Sequence, residues 1–233
     1  MKNLIKNLFN QYNFNLTEAQ ISQFEKFYNL LIEENKKINL TAITEEKEVV
    51  LKHFIDSVLP VNEIEENAKV VDIGSGAGFP GIPLKILRPD LKITLVDSLQ
   101  KRVNFLNMVI NELSLNDINA VHARAEDFCK ENREFFDIAL SRAVAQIPTL
   151  AEYLIPFVKK GGKVLMYKGS KANEEVLVGQ KAIQLLGGKI KKTLEYDIEE
   201  IGAKRFIIII DKINNTNKIY PRSKNLPKTK PIL

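Results

Sequence analysis

The sequence predicts an α/β fold: a doubly wound, mostly parallel sheet of seven strands, preceded by a helical extension. Three observations predict it. From Lys69 onward, short apolar segments alternate with amphipathic ones, the βαβ rhythm of a parallel sheet. The last two strands follow each other with only a loop between them, which implies an antiparallel pair at one edge. Before Lys69 the apolar spacing is helical.

The extension covers residues 1–67. Thr17-Glu18-Ala19-Gln20 is a capping-box pattern. Behind it Ile21, Phe24, Phe27, Tyr28 and Leu31 recur at helical spacing. After a link at 38–42, Thr44 can cap the next helix, with Glu45 and Glu46 suited to its first turn. That helix should end at Pro60. The predicted strands are Lys69–Ile73, Lys92–Asp97, Ile118–His122, Asp137–Ser141 and Gly162–Lys168. Between them lie helices near Ile82–Leu87, Gln100–Leu113, Glu126–Glu131 and Ile147–Val158. A helix near Asn173–Leu186 precedes the edge pair Lys189–Tyr196 and Lys204–Asp211, which completes a central domain over 68–211. Residues 212–233 contain three prolines between Pro221 and Pro231 and read as an extended tail.

The chain has 233 residues and a net charge of +5. That charge lies in the tail, where Lys212, Lys218, Arg222, Lys224, Lys228 and Lys230 face no acid. A basic tail on a near-neutral body suits a polyanionic partner such as RNA; a solubilising end is the plainer alternative. The longest apolar run, Phe206 to Ile210, is too short to cross a bilayer. The N-terminus lacks the h-region and cleavage site of a signal peptide. With a single cysteine, Cys129, neither an internal disulfide nor a cysteine-based zinc site forms. A cytoplasmic protein is expected, with no metal.

Asp72-Ile73-Gly74-Ser75-Gly76-Ala77-Gly78-Phe79-Pro80-Gly81 joins the first strand to a helix. Gly76-x-Gly78-x-x-Gly81 has the spacing of a dinucleotide fingerprint. Asp97 ends the second strand, about 20 residues on, where an acid meets ribose hydroxyls. That position suits NAD and S-adenosylmethionine alike. Two features favour the methyl donor. Pro80 and Pro83 remove N–H groups that a pyrophosphate would use. Asp72 would repel a pyrophosphate and favour an ammonium and a sulfonium.

After the fourth strand come Ser141, Arg142, Ala143 and Val144, at the ligand crevice of such folds. The Asn- or Asp-Pro-Pro-aromatic turn of exocyclic-amine methyltransferases is absent there. Cys129 lies in the helix after the third strand, beside Phe128, and reads as a packing residue and not a nucleophile. A ring nitrogen with a free lone pair, such as guanine N7, needs no proton removed before attack. Alignment alone then supplies about 7–11 kcal/mol of the barrier. Arg142 could bond guanine O6 or a phosphate, or pair with a nearby acid.

The motifs KINLTAI (37–43), HFIDS (53–57), VVDIGSGAGFPGIPL (70–84), VDSLQKRVNFL (96–106), ARAED (123–127), LSRAVA (140–145), YKG (167–169) and YPRSKNLPKTKPI (220–232) together resemble the bacterial ribosomal RNA small-subunit methyltransferase G family, also called glucose-inhibited division protein B. The resemblance runs from about residue 35 to the end. It implies the class I S-adenosylmethionine-dependent methyltransferase fold and methylation of N7 of one guanine in 16S rRNA, as RNA or within the small subunit; a monomer with no membrane partner is expected. By position it implies that Gly74 and Phe79 contact the cofactor, that Asp97 holds its ribose, that Ala125 and Glu126 flank its adenine, and that Arg142 sits where cofactor and substrate meet; the loop's own chemistry adds Asp72, Gly76 and Gly78 to the expected cofactor residues. Lys168, Lys218, Arg222, Lys224, Lys228 and Lys230 are expected on RNA phosphate, helped by Lys101 and Arg102. His53 and Asp56 share one helix face; packing against the active site and a purely structural role both stand, as they do for Asn39 and Thr41. The family tail often has glycine where this chain has Asn225, a residue that tolerates a left-handed backbone. Two rival readings are a small-molecule methyltransferase with residues 1–67 as its lid, and a non-catalytic RNA-binding factor.

Overall fold

The computed structural model describes every residue except 143–144, 199 and 201. One seven-stranded sheet runs in the order β3-β2-β1-β4-β5-β7-β6. Strands β1 (Lys69–Ile73), β2 (Lys92–Asp97), β3 (Ile118–His122), β4 (Phe136–Arg142) and β5 (Val158–Lys168) are parallel. β6 (Gly188–Ile198) and β7 (Ala203–Lys212) complete the sheet, with β7 antiparallel to both of its neighbours. Strand order reverses between β1 and β4, so a crevice opens beyond their carboxyl ends. The antiparallel run of β7 brings its first residues to that same edge, where Ile207 pairs with Tyr167.

Helices cover both faces. On one side lie α5 (Gly81–Leu87) and α6 (Gln100–Glu112); on the other lie α7 (Ala125–Glu131), α8 (Ile147–Leu154) and α9 (Ala172–Leu185). α8 stops four residues earlier than the sequence spacing suggests. A 3-10 turn, Ile155–Phe157, follows it, and β5 then starts at Val158.

The extension comprises α1 (Lys2–Gln11), α2 (Glu18–Ile38) and α3 (Glu46–Val49), the last running through a π-helical segment, Val50–Ile55, into α4 (Asp56–Val58). The capping box at Thr17 forms as expected. The next cap does not: Glu45, not Thr44, accepts the N–H of Glu48 at 2.8 Å. A carboxylate is the stronger acceptor there and also complements the helix dipole. α2 fastens the extension to the sheet layer by capping two helices. The Gln20 amide donates to the carbonyls of Ile86 and Leu87 at 3.0 and 3.2 Å. Gln23 and Lys26 do the same for Leu113 and Glu112. These bonds satisfy the orphan carbonyls at the ends of α5 and α6. One apolar core runs without a break from Ile5, Phe24 and Phe54 to Val70, Ile82 and Leu95.

The tail is folded. Lys212 ends β7, fully buried, with its ammonium on the Ile155 carbonyl, Thr216 and Glu134. Beyond it the chain packs along α8, and a single turn, α10 (Leu226–Thr229), forms despite Pro227. Proline is tolerated in a first turn, where its missing N–H has no partner to lose. The expectation of an extended tail is therefore corrected.

Candidate active site

The glycine loop is held from three sides. Gly74 donates its N–H to the Val96 carbonyl at 2.8 Å, and Gly76 donates to Asp97 Oδ2 at 2.9 Å. From beneath, Asp72 Oδ2 accepts the N–H of Gly81 at 3.0 Å. A side chain at Gly81 would press on Leu95 and lie 2.9 Å from that same oxygen. Asp72 is fully buried, and burial raises its carboxyl to about 7, against the pull of the Gly81 N–H.

An aromatic chain leads from the extension to the loop. Phe24 meets Phe54 at 5.0 Å, Phe54 meets Phe27 at 5.5 Å, and Phe27 meets Phe79 at 5.4 Å. The His53 ring stacks on Phe79 at 4.5 Å, and the Arg142 guanidinium lies 5.0 Å from the same ring. The π-helical segment sets His53 and Asp56 facing the end of β4, where Arg142 emerges. Arg142 Nη1 donates to Asp56 Oδ2 and to the Lys52 carbonyl, both at 2.8 Å. Its Nη2 lies 3.2 Å from His53 Nδ1. Nδ1 also lies 3.2 Å from the Lys52 carbonyl, and Nε2 lies 2.8 Å from Thr41 Oγ1, so both ring nitrogens have hydrogen-bond partners. Burial, reinforced by the Arg142 charge, pushes His53 down to about 3. The imidazole is therefore neutral at ordinary pH. Arg205 flanks Asp56 from β7, with 3.1 Å between Nε and Oδ1.

Three compartments meet around these residues. One, about 410 Å³, is walled by Leu40, Thr41, Gly74, Gly76, Phe79 and Asp97. It shares Gly74 and Ser98 with a second, about 270 Å³, walled by Ile73, Val96, Ala125, Glu126, Tyr153, Asn225 and Lys228. Together they form one cleft across the tips of β1 and β2. Arg142 and His53 divide the first from a third compartment of about 620 Å³, lined also by Lys52, Asp56, Tyr167, Lys168 and Arg205. Among the described residues no group of His, Cys, Asp or Glu is placed to hold a metal ion, and no helix is long and apolar enough to cross a membrane.

Comparison with known proteins gives this geometry a context. The family model described as rRNA small subunit methyltransferase G matches residues 20–201. The chain belongs to that family. Ribosomal RNA small subunit methyltransferase G of Desulforamulus reducens is 53% identical over 94% of this chain and 93% of its own. The protein of the same name from Clostridium botulinum (strain Loch Maree / Type A3) is 47% identical over 99% of this chain and 98% of its own. Among solved structures, M. jannaschii TYW2 in complex with AdoMet superposes with a TM-score of 0.58 at 17% identity, covering 74% of this chain and 80% of that one. Precorrin-6y C5,15-methyltransferase from Geobacter metallireducens gives 0.53 at 12% identity, over 77% and 96%. These likenesses show the class I methyltransferase fold. Family membership makes the chain an S-adenosylmethionine-dependent rRNA methyltransferase.

Within this member of the methyltransferase G family, the cleft walls hold Gly74, Gly76, Phe79, Asp97, Ala125, Glu126 and Arg142. Two expected cofactor residues lie elsewhere. Asp72 is sealed beneath the loop, with Oδ2 on the Gly81 N–H and Oδ1 buried without a hydrogen-bond partner among the described residues, and it reaches no cleft wall. Gly78, at φ +95°, lies against Ile82 and serves the turn and helix packing. Ala143 and Val144 lie outside the described residues. Of the expected RNA contacts, Lys168 donates to Glu175 and the Ala145 carbonyl at 2.6 and 2.5 Å, with little of its side chain exposed. Arg222 is clamped to buried Glu152. Both are internal ties: Arg222 neutralises the fully buried Glu152 carboxylate, and Glu175 neutralises the largely buried Lys168 ammonium. Lys218, Lys224 and Lys230 are exposed, and Lys228 stands at the cleft wall. Arg102 reaches Asp97 at 3.4 Å, and Lys101 is exposed. Asn39 takes the left-handed C-cap of α2, while Thr41 lines the cleft. Cys129 is buried, its thiol pushed up to about 12 by burial, in keeping with a packing role.

Sequence reasoning missed Lys52, Tyr167 and Arg205 in the third compartment. Arg205 had one signal: it is the charged residue just before the run Phe206 to Ile210 on an antiparallel strand. The start of such a strand falls at the carboxyl edge of the parallel ones.

Proposed function

We propose that the enzyme methylates N7 of a specific guanine in 16S ribosomal RNA, as RNA or in the small subunit, acting as a cytoplasmic monomer and without a general base. In this reading the two joined compartments take the cofactor and the third takes the guanine. Gly74, Gly76 and Phe79 shape the cofactor's seat, Asp97 meets its ribose, and Ala125 and Glu126 flank its adenine. The fit rests on Asp97, an acid at the tip of β2, in a cleft whose walls alternate apolar side chains with hydroxyl, amide and charged groups. When bound, S-adenosylmethionine supplies an electrophilic methyl group. Arg142 stands between the two ligands and orients the acceptor.

One observation carries the reading. The acid–base side chains lining the third compartment are already engaged. His53 Nδ1 faces Arg142, Asp56 lies between two arginines, Glu175 pairs with Lys168, and Tyr167 donates to the Ser57 carbonyl at 2.7 Å. Burial further raises Tyr167 well above its ordinary range. Such a site suits a nucleophile that loses no proton. Proximity and exclusion of water are then the available catalytic terms.

The test is transfer of labelled methyl from S-adenosylmethionine to small subunits, naked 16S rRNA and a metabolite pool, followed by mapping of the product base. A single N7-methylguanine in the rRNA is expected. Methyl on a guanine exocyclic or N1 position, or turnover on metabolites without RNA, would overturn it.

A further inference from the structure

The tail forms part of the wall of the cofactor cleft. Its docking is built from unusually strong ties. Arg222 Nε and Nη2 grip the Glu152 carboxylate at 2.9 and 2.6 Å, and the Arg222 backbone N–H adds a third bond at 2.7 Å. Glu152 is fully buried, so the pair is a costly one to break from either side. Thr149 Oγ1 donates to the Pro227 carbonyl at 2.8 Å, and Pro227 is itself buried. Between these anchors Lys224 and Asn225 both take left-handed backbone, at φ +56° and +59°. The bend turns α10 onto α8 and sets Asn225 and Lys228 beside Ala125, Glu126 and Tyr153. Arg124 links the two sides, donating to Glu126 at 2.9 Å and reaching Asn225 Oδ1 at 3.4 Å.

We infer that Asn225 and Lys228 contact the adenine end of the bound cofactor, and that docking of residues 222–230 and cofactor binding form one linked equilibrium. The inference rests on the placement of the cofactor in this cleft. An adenine ring offers acceptor nitrogens around its edge. Lys228 brings three N–H donors to the compartment, and Asn225 brings an amide held by the bend and by Arg124. A ligand that binds only the docked form raises the docking equilibrium constant by a factor of one plus its concentration over its dissociation constant. The tail is thus part of the cofactor site, separate from any engagement of RNA by its exposed lysines.

The test measures dissociation constants of S-adenosylmethionine and S-adenosylhomocysteine for the full chain without RNA, by calorimetry. Lys228→Ala is expected to weaken binding about tenfold, the equivalent of one charge-assisted hydrogen bond. Arg222→Ala, which frees the tail, should weaken it at least as much. Lys181→Ala, exposed on α9, serves as the control. Cofactor should also slow proteolysis after Lys224, and ATP at the same concentration should not. Affinities within twofold of the unmodified chain for both Lys228→Ala and Arg222→Ala, with Asp97→Ala weakened, would overturn the tail inference alone. A silent Asp97→Ala would overturn the placement of the cofactor, and the inference with it.

Discussion

Arg142 Nη1 lies 2.8 Å from Asp56 Oδ2, so the end of β4 is bonded to the N-terminal helices across the active-site crevice. Both side chains are largely buried. The helical extension is therefore not an appendage to the sheet. It supplies Asp56, the Lys52 carbonyl and His53, three of the groups that fix the guanidinium at the junction of the compartments. Removing one partner of a buried pair leaves the other charge uncompensated.

Arg142→Ala is expected to cost stability, measured by urea unfolding, up to the roughly 3–5 kcal/mol of a broken buried pair. Arg205 stays beside Asp56 and limits the loss. Arg142→Lys restores the charge but not the fork that spans Asp56 and His53. It should recover most of the stability and little of the methyl-transfer rate. Equal recovery of both would reduce Arg142 to a structural ion-pair partner.

Two buried groups drive stability with pH in opposite directions. His53 falls from an ordinary 6.5 to about 3 in the folded chain. Between those values the unfolded chain binds the extra proton, so this contribution is lost as pH falls below 6.5. Asp72 rises from 3.8 to about 7. There the folded chain holds the extra proton, so this contribution is lost as pH rises from 3.8 towards 7. The two slopes, each at most about 1.4 kcal/mol per pH unit, largely cancel over their common range. Relative to the unmodified chain, Asp72→Asn should make stability rise with pH there, and His53→Gln should make it fall. Urea midpoints between pH values spanning that range check both signs. Parallel profiles for all three chains would refute the opposition.

Gly81→Ala places a methyl group against Leu95 and 2.9 Å from Asp72 Oδ2. Neither neighbour has room to withdraw, since Leu95 and Asp72 are both fully buried. The expected loss is about 1–3 kcal/mol, as for overpacking in a core, read from the urea midpoint. Cofactor affinity should fall with it, because the displaced oxygen is the one that holds the loop from below. An unchanged midpoint would show that the loop is not braced on Asp72.

What the sequence made legible were features decided within a short stretch of chain. The period of the apolar residues placed all seven strands, and Thr17 with Gln20 announced a cap that forms as written. Asp97 was legible as a strand-end acid, and it stands in the cleft wall. The misses are tertiary. Asp72 looked like a ligand because its position at a strand tip carries no sign of the Gly81 N–H that occupies it. Arg222 and Lys168 looked like free cations because Glu152 and Glu175, 70 and 7 residues away, give no local signal of pairing with them. Asn225 is the intermediate case. Its tolerance of a left-handed backbone was readable, and the φ of +59° agrees, but the bend's destination on α8 was not.

The remaining basic residues of the tail separate by exposure, and this gives a salt-dependence test. Lys218, Lys224 and Lys230 are exposed, whereas Arg222 is committed to Glu152. If the three lysines meet phosphates, each contact contributes a slope of about 0.7–0.9 in log affinity against log salt. Changing all three to alanine should lower the slope for small-subunit or rRNA binding by about 2–3. Affinity should fall most at low salt, where the released counterions count most. Cofactor affinity without RNA should stay as it was, because none of the three side chains lines the cleft and the ties that dock the tail run through Arg222, Pro227 and the Lys230 backbone carbonyl. Binding is best followed by filter retention of labelled rRNA across a salt series. A slope unchanged by the triple substitution would remove these lysines from the RNA interface and leave the third compartment, with Lys52 and Arg205, as the place where RNA charge is met.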